Sequence, residues 1–516
     1  MGALLLAALA TSASVPALAQ AVVVSAAPLA TSVTVYRDPN RSEGGRIDLR
    51  WPNGYALISE KRRIVLPAGE SVVRFEGVAG GMIAVSAVVS GLPGGVSEKN
   101  RDARLLSPAA LLDGSLGNRV HIRRTNRQTG KVSEEEAIVR SGANGAVALQ
   151  TAQGVEALRC SGLPETLVYD AVPEGLSAKP SFSVHTNTPG VTTAEVTLTY
   201  LATGFDWGAS YVAKVAQDGR SLDLFAWLTL ANGNDVLYPD AQLLAVAGKP
   251  NRTSDFDALA PQLAVPTLRL SCWPMDGTST HDSWGMPSGS ALYEMAMMPP
   301  PPVAMAMAMK SGDVVVSAQR MAQQEDLGDL KLYRVPMPVD IAPNGQKQVA
   351  LLSKQSVPFS RFYGVTLSPW DDALDRPLEI RLRMQNKAKD GLGLPLPSGG
   401  VVVMQRGGDT DLLLADARIG DYAIGEKVEL AAGVSDQLRL SQSLLSASAR
   451  ERRILITLSN ALDKRAPVEI GIARADGWTI TPAKGRLSSR DGKAMWITDV
   501  PANGTARLEL ILARQN

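Results

Sequence analysis

The chain has 516 residues, and its 52 lysines and arginines are balanced by 51 aspartates and glutamates, which leaves a formal charge of +1. That balance excludes a protein whose whole surface is built to hold nucleic acid or anionic lipid. Hydrophobic residues make up 45% of the chain and charged residues 20%, which excludes wholesale disorder and allows several buried cores. The 46 glycines and 32 prolines favour short strands joined by turns over long helices.

The first residues have the pattern of a targeting segment. An unbroken apolar run from Ala3 to Ala10 is followed at 17–19 by Ala-Leu-Ala, a small-x-small sequence of the kind that signal peptidase cleaves. Polar residues and a proline interrupt the segment, so it falls short of the ~20 apolar residues that a membrane anchor needs. No lysine or arginine occurs before Arg37, so the positively charged start of such a signal is missing. The sequence predicts a signal peptide at 1–19, a mature chain without a transmembrane segment, and a periplasmic or secreted location.

The chain has two cysteines, Cys160 and Cys272. In an oxidising compartment a lone pair of cysteines is either a disulfide or two buried thiols. A bond would close a loop of more than a hundred residues, which is worth roughly 4 to 5 kcal/mol in the chain-entropy model. The pair is a disulfide candidate, and the choice stays open because a sequence does not give the distance between two sulfur atoms.

An N-terminal β domain is expected over 20–100. Val33–Tyr36 and Arg63–Leu66 alternate apolar and polar residues, the second less strictly, and the turn Leu66–Glu70 leads into the apolar-rich segment Ser71–Phe75. Alternation with a period of two, broken by a Pro-x-Gly turn, predicts an antiparallel hairpin.

A small β-barrel-like module is expected over 101–175. It contains the one convincing helical stretch, around Ser107–Leu112, and several short strands of which two flank the turn Gln128–Lys131. Several strands within about fifty residues, joined only by turns, are typical of such modules.

Longer strands follow from Pro180 onward. Leu222–Leu230 is nearly all apolar, which indicates a central strand covered on both faces. These strands predict a central β-sandwich built from 176–260 and 325–435, and the short strands of 436–516 predict a C-terminal immunoglobulin-like sandwich. The fold class is therefore predicted to be all-β, with several sandwich or barrel-like domains.

A low-complexity loop at 261–324 separates the strand-rich halves. Four successive prolines are flanked there by Ala/Met repeats, a composition that favours polyproline II and linkers. In an extended segment Met305, Met307 and Met309 would present three thioethers on one side, and soft sulfur ligands select Cu(I). Cys272, His281 and Met286 are close in sequence, as are Met295 and Met297. A flexible linker is the favoured interpretation, and Cu(I) binding is an alternative.

Aspartates gather in two places where turns between strands are expected: Asp371, Asp372 and Asp375, then Asp409, Asp411, Asp416 and Asp421. Two carboxylates in one cleft can act as acid and base in glycoside hydrolysis, or can hold calcium. No Asp-x-Asp-x-Asp-Gly loop is present, so exposed turns are favoured and a carbohydrate-active hydrolase is the alternative.

Basic and aromatic residues have structural interpretations. The basic run Arg119, His121, Arg123, Arg124, Arg127 and Lys131 could touch an anionic polysaccharide, but Glu134–Glu136 follow and would neutralise it across a hairpin. Trp207, Tyr211 and Trp227 are predicted to be core residues. The histidines form no HExxH or Ser-His-Asp signature, and no Gly-rich phosphate loop or Cys-x-x-Cys pair occurs.

Several segments together resemble a known family. The run Tyr200–Tyr211 has glycine, tryptophan and tyrosine at spaced positions, an Asn-containing turn follows Ala231, and the turn Leu394–Gly399 reads Leu-Pro-Leu-Pro-Ser-Gly. Leu163–Glu165 and the N-terminal Val33–Tyr36 and Leu66–Glu70 fit as well. These segments resemble the bacterial envelope family of unknown function related to the mucoidy-inhibitor proteins, of the domain of unknown function 4139 type.

The resemblance implies a β-rich secreted or periplasmic protein whose central sandwich is divided by an Ala/Met/Pro loop, and it implies no catalytic residues. The chain departs from that family in lacking its long coiled coil, whose place is taken by the strand module Leu105–Leu149. We therefore expect a non-enzymatic interaction or structural module with no cofactor, which binds an envelope protein or glycan and no nucleic acid. Strand addition at an exposed sheet edge is a plausible binding mode.

Overall fold

A computed structural model describes residues 21–42, 45–102, 106–126, 129–141, 147–157, 165–173, 176–248, 321–327, 330–371, 373–407, 410–490 and 492–514. Strands account for most of these residues, which confirms the all-β class. No helix within these ranges is long and apolar enough to cross a membrane.

The strands of the first half of the chain are β1 Ala21–Ser25, β2 Ala30–Tyr36, β3 Gly54–Leu66, β4 Gly69–Glu76, β5 Val88–Ser90, β6 Glu98–Asp102, β7 Arg119–Thr125, β8 Val132–Val139, β9 Ala148–Thr151, β10 Gly154–Ala157, β11 Glu165–Val168, β12 Ser181–Thr188, β13 Thr192–Val215, β14 Ser221–Asn232 and β15 Tyr238–Ala247. Those of the second half are β16 Gln323–Leu327, β17 Leu330–Arg334, β18 Val339–Ile341, β19 Gly345–Pro358, β20 Ser360–Leu367, β21 Ala373–Gln385, β22 Gly399–Gly407, β23 Thr410–Ile419, β24 Lys427–Ala447, β25 Glu451–Asn460, β26 Ala466–Ile472, β27 Trp478–Pro482, β28 Ser488–Arg490, β29 Lys493–Val500 and β30 Gly504–Arg514.

Helical structure in the described chain is short. The α-helix, α1, spans Pro108–Gly114, and two single 3-10 turns lie at Ala84–Ser86 and Ala388–Asp390. Ser107 caps α1 by accepting a hydrogen bond from the Ala110 amide at 3.1 Å, and Pro108 stands at the first helical position, where its missing N–H costs nothing. The helix expected around Ser107–Leu112 is confirmed.

The chain divides into two compact units, each made of several stretches. The first comprises Met1–Ser32, Leu57–Ala202 and Thr253–Pro300, and the second comprises Val33–Ala56, Thr203–Arg252 and Pro301–Asn516. The loop expected at 261–324 lies outside the described residues except at its C-terminal end, where β16 begins at Gln323.

A four-stranded sheet of order β1-β4-β12-β6 belongs to the first unit, and it corrects one expectation. The turn after Leu66 is where the sequence puts it, since β3 ends there and β4 begins at Gly69. However, β4 pairs with β1 and β12 and not with β3, so the predicted hairpin is wrong. Local alternation indicates two strands and a turn, but it does not show that the turn carries the chain into a different sheet.

A buried ion pair lies inside the first unit. Arg62 and Glu60 on β3 are 0% and 1% exposed, and the guanidinium donates from Nε at 2.9 Å and from Nη2 at 2.6 Å to one carboxylate oxygen. Arg62 also donates to the carbonyls of Ser25 and Glu76 at 2.7 and 2.8 Å. Tyr200 donates its hydroxyl to the other Glu60 oxygen at 2.8 Å. Because these polar atoms have partners, the pair can be buried beside apolar residues.

A second sheet of the first unit has the order β10-β9-β8-β7-β11. Its core contains Val120, Ile122, Val139 and Leu149 together with Leu112 from α1. In the described chain β10 and β11 are its edge strands. The turn at Gly130 joins β7 to β8 as an antiparallel hairpin, as the sequence predicts.

A twelve-stranded sheet contains the order β16-β17-β15-β2-β3-β13-β14-β19, with β18 beside β15 and the pair β22 and β23 beside β13. Strand β14 lies between β13 and β19, as expected for a central strand. Its burial alternates from Ser221 to Trp227 and becomes continuous only from Leu228 to Asn232, so the expectation of cover on both faces holds for its second half alone.

A nine-stranded sheet of order β27-β30-β25-β24-β21-β20-β26-β29-β28 forms the rest of the second unit. Its core joins residues of β20 and β21, such as Leu367 and Leu378, to residues of the last eighty positions, such as Ile456 and Leu510. On this sheet Arg383 donates to both oxygens of Glu469 at 2.8 and 2.6 Å. Although burial alone would raise it, hydrogen bonds from Arg383 and Arg490 lower the pKa of Glu469 to about 2.

Candidate functional site

The hairpin of β22 and β23 lies at an edge of its sheet, and β24 passes close to it, since a Cβ atom at Gly433 would lie 3.5 Å from the Leu414 carbonyl oxygen. Strand β22 pairs in parallel with β13, from Ala209 opposite Gly399 to Val215 opposite Gln405. A Cβ atom at Gly399 would overlap the carbonyl oxygen of Ala209, so only glycine lets the strands approach this closely. Strand β23 pairs antiparallel with β22 and with no other strand among the described residues.

The outer half of β23 exposes three consecutive leucines, Leu412, Leu413 and Leu414, whose exposed fractions are 56%, 67% and 38%. Successive side chains of a strand point to opposite faces, so both faces of this edge are apolar here. Burial returns further along the strand at Ala417 and Ile419. Natural sheets protect their edges with short strands, charged residues or proline. Other edge strands of this protein follow that rule, including β6 with Glu-Lys-Asn-Arg-Asp and β28 with Ser-Ser-Arg, although the short edge strand β1 also exposes valines.

The base of this hairpin is fixed by Arg37, which follows β2 directly. Its Nη1 donates to the Ser398 hydroxyl at 3.0 Å and to the two Asp421 carboxylate oxygens at 2.8 and 3.1 Å. Ser398 precedes β22 and Asp421 follows β23, so one side chain holds both ends of the hairpin. The Ser398 amide also donates to Asp421, at 2.8 Å. The Arg37 guanidinium lies over the Trp207 ring, with its central carbon 4.7 Å from the ring centroid, a cation–π geometry.

Two tyrosines hold the turn that leads into β22. Tyr211 donates its hydroxyl to the Pro397 carbonyl at 2.6 Å, and Tyr333 donates to the Pro395 carbonyl at 3.4 Å. Burial raises the pKa of both phenols, that of Tyr211 well above its ordinary value, so both hydroxyls keep their protons as donors. The two tyrosines thereby hold the turn through the backbone carbonyls of its prolines.

A second arginine supports the same cluster. Arg41 donates to Asp206 at 2.7 Å and to the Trp207 carbonyl at 2.6 Å, while Asp206 accepts from the amides of Asp38 and Trp207 at 3.0 and 2.8 Å. Burial raises the pKa of Asp206, and the neighbouring Arg41 and the two amide donors oppose this rise. The Trp207 indole N–H donates to the Val246 carbonyl at 2.9 Å. Trp207, whose ring lies under Arg37, is thus held both through its backbone and through its indole N–H.

Four of the described aspartates of the two acidic groups have a basic partner on another strand or loop, and Asp371 accepts a hydrogen bond from Gln442 through its backbone carbonyl at 2.6 Å. Asp375 pairs with Arg439 at 3.2 Å, Asp411 with Lys214 at 2.7 Å, Asp416 with Arg46 at 2.9 Å and Asp421 with Arg37 at 2.8 Å. Asp375 belongs to β21 of the nine-stranded sheet and Asp411 to β23 beside β22. Asp372 and Asp409 lie outside the described residues. The hydrolase alternative stays a prediction.

The basic run on β7 is paired with the acidic residues that follow it. Arg119 contacts Glu136 at 3.2 Å, Arg123 contacts Glu134 at 3.1 Å and Arg124 contacts Glu135 at 3.5 Å. The prediction that these glutamates neutralise the run across a hairpin is confirmed for the described arginines. Arg127 lies outside the described residues.

The sulfur-containing candidates lie outside the described residues. These are Cys160, Cys272, Met286, Met295, Met297, Met305, Met307 and Met309, and His281 lies with them. The disulfide and Cu(I) alternatives stay predictions. Within the described ranges no group of three or more His, Cys, Asp or Glu side chains could hold a metal ion.

Sequence reasoning missed Arg37, Arg41 and Tyr333 as members of one cluster. It identified Trp207 and Tyr211 as core residues, which their 0% and 1% exposure confirms, whereas Trp227, predicted with them, is only half-buried. It also singled out the Tyr200–Tyr211 and Leu394–Gly399 segments, and the structure brings these together. The available signal was the arginine directly after the alternating strand that ends at Tyr36, a position where a charge has no role in strand patterning.

Comparison with protein-family models finds no match for this chain, and a search of curated proteins finds no similar sequence.

Proposed function

We propose that this chain is a secreted or periplasmic β-protein of the bacterial envelope that works as a non-enzymatic interaction module, and that it binds its partner by strand addition to β23. The apolar run and small-x-small site at the N-terminus support the compartment. The resemblance of the Tyr200–Tyr211 and Leu394–Gly399 segments to the mucoidy-inhibitor-related family supports the envelope setting. The observation that carries the binding mode is the exposed leucine run Leu412–Leu414 on an edge strand.

The chemistry of this edge defines the occupant as an extended apolar segment of a partner protein. Among the described residues no strand is paired with the side of β23 that faces away from β22, and strand addition there would give affinity through main-chain hydrogen bonds. Leu412 and Leu413 face opposite sides of the sheet, and Leu414 lies at an irregularity between Leu413 and Ala415, so the added strand needs apolar side chains on both of its faces. The ionic groups nearest in sequence, Asp411 and Asp416, already pair with Lys214 and Arg46. A charged segment would therefore gain little from this edge.

Site-specific photocrosslinking in cells tests the proposal. A photoreactive amino acid at position 413 is compared with the same amino acid at position 237. Leu237 is a matched control because it is 52% exposed and lies in a loop and not on an edge strand. We expect position 413 to capture one partner, with the crosslink mapping to a contiguous apolar segment. A synthetic peptide of that segment should then slow amide exchange across Leu412–Leu414 in the purified chain.

A single substitution separates binding from folding. Leu413→Lys places a charge on this edge, which is how natural sheets discourage strand addition, and it removes no buried contact. It should abolish capture and peptide protection while leaving the unfolding transition unchanged, and Leu237→Lys should affect neither. Equal capture from positions 413 and 237, or crosslinks that map to a second copy of this chain, would refute partner binding at this edge.

A further inference from the structure

Arg37 has a hydrogen-bonding edge that the described protein does not use. Its side chain is only 10% exposed, and its Nη1 donates hydrogen bonds to Ser398 and Asp421. Its Nε and Nη2 are buried and have no hydrogen-bond partner. A buried donor without a partner costs about 1–3 kcal/mol, so native proteins rarely leave two on one group without a reason.

The unused Nε–Nη2 pair is the edge that other arginines of this chain present to carboxylates. Arg334 donates from Nε and Nη2 to the two oxygens of Glu325 at 2.7 and 3.1 Å. Arg123 donates from the same two nitrogens to one carboxylate oxygen of Glu134, with both bonds at 3.1 Å. The two parallel N–H groups of this edge fit a planar carboxylate in bidentate fashion.

The surroundings of Arg37 hold its guanidinium in place. The Trp207 ring covers a face of the guanidinium and keeps it from rotating out of its plane. Burial lowers the pKa of Arg41, the pairing with Asp206 opposes this, and the nearby Arg37 charge lowers the pKa further. Asp421, which is 52% exposed, binds Nη1 and leaves the Nε–Nη2 edge buried and without a partner in the described chain.

We propose that Arg37 is a binding residue for a ligand carboxylate, which accepts hydrogen bonds from Nε and Nη2 while Trp207 holds the guanidinium in place. Both nitrogens are buried in the free protein, so neighbouring side chains must move for the ligand to enter. Asp421 and the incoming carboxylate carry the same charge and approach the same guanidinium, so Asp421 weakens binding. The shared chemistry is a carboxylate, which could belong to an acidic peptide or to a uronic-acid sugar.

The direct test uses the full chain with nitrogen-15 in its arginine side chains. N-acetylglutamate and glucuronate are titrated separately while the Arg37 Nε–H resonance is followed, and the resonance is assigned by its loss in Arg37→Lys. Saturable movement of that resonance is the expected result. A stronger response to one of the two probes identifies the source of the carboxylate. In Asp421→Asn the affinity should rise about tenfold, the effect of removing one nearby like charge.

Two variants make the test specific. Arg37→Lys keeps the positive charge but loses the bidentate edge, so it should abolish binding. Arg334→Gln removes an arginine whose same edge is already occupied by Glu325, so binding should be unchanged. The proposal is overturned if no resonance moves up to the solubility limit of both probes. It is equally overturned if the free chain already shows hydrogen-bond coupling between Arg37 Nε and one of its own carboxylates, or if Asp421→Asn weakens binding.

Discussion

Replacing Arg62 with methionine should be one of the most damaging single changes in the first unit. The change leaves the Glu60 carboxylate, 1% exposed, with the Tyr200 hydroxyl as its remaining hydrogen-bond donor, and it leaves the Ser25 and Glu76 carbonyls without the guanidinium. Breaking a buried ion pair by removing one partner costs about 3–5 kcal/mol, because an uncompensated charge stays behind. We therefore expect a loss of about 3–5 kcal/mol near pH 8.

The cost should depend on pH with a defined sign. Burial raises the pKa of Glu60, and Arg62 opposes that rise, so the rise should grow when Arg62 is absent. A carboxyl group with a raised pKa in the folded state binds a proton there more readily than in the unfolded chain. Lowering the pH from 8 to 5 should therefore reduce the destabilisation by Arg62→Met, since a protonated Glu60 is cheaper to bury.

The assay is chemical denaturation followed by hydrogen exchange and mass spectrometry of the β4 peptide that contains Val73 and Phe75, which pair with β12. The matched control is Arg63→Met. The Arg63–Glu195 pair is 60% and 64% exposed, and an exposed pair contributes about 0–1 kcal/mol. The double variant Glu60→Leu/Arg62→Met should recover most of the loss, because it leaves no buried charge. Equal costs for Arg62→Met and Arg63→Met, or a cost independent of pH, would refute the reasoning.

Three further changes test the second unit. The pKa of Glu469 is held at about 2, below the ordinary carboxyl value near 4, so its ion pair should stabilise the fold fully above pH 4. That stabilisation should be lost as the pH falls through 2. In Glu469→Gln the urea midpoint should therefore change less with pH over this range. Gly399→Ala should cost at least about 2 kcal/mol by forcing β22 away from β13, whereas Gly400→Ala, whose added Cβ meets only open space, should cost less than 1 kcal/mol in the same denaturation series. Asn386→Ala should cost about 3 kcal/mol, because this buried amide donates to two backbone carbonyls and accepts from two amides, and calorimetry should show the lower melting temperature.

The sequence predicts the strands well because burial of one face of a sheet places apolar residues at every second position of a strand. In β3 the inward positions include Ile58, Glu60, Arg62 and Ile64, and burial alternates along the strand as the spacing of the isoleucines indicates. The same spacing puts Glu60 and Arg62 inside. Polar residues are ordinarily interpreted as exposed, and Tyr200, which donates a hydrogen bond to Glu60, is 140 positions away. A local sequence pattern therefore does not predict the buried ion pair.

The candidate site was less predictable, for a related reason. Arg37 is 361 positions from Ser398 and 384 from Asp421, and no local pattern joins residues at such separations. The segment around Trp207 and the turn before Gly399 could be recognised as special, because aromatic residues and a Pro-rich turn stand out from strand patterning. They meet at Arg37 because β22 pairs in parallel with β13. The alternation of apolar and polar residues within a strand does not predict such a long-range pairing.

Two departures from ordinary protein construction occur on the same hairpin, and this coincidence favours a functional site over an accident of sequence. The outer half of β23 presents leucines where edges are normally protected, and the arginine at its base keeps two donors buried without partners. The rest of the hairpin follows the rules closely, with Gly399 fitted to Ala209 and Tyr211 bonded to Pro397. Other arginines of the described chain, such as Arg74, Arg101 and Arg376, each leave one buried nitrogen without a hydrogen-bond partner, whereas Arg37 leaves two. The rigid base then has a direct consequence for recognition: it fixes the direction of the exposed strand before a partner arrives, so less conformational entropy is lost on binding.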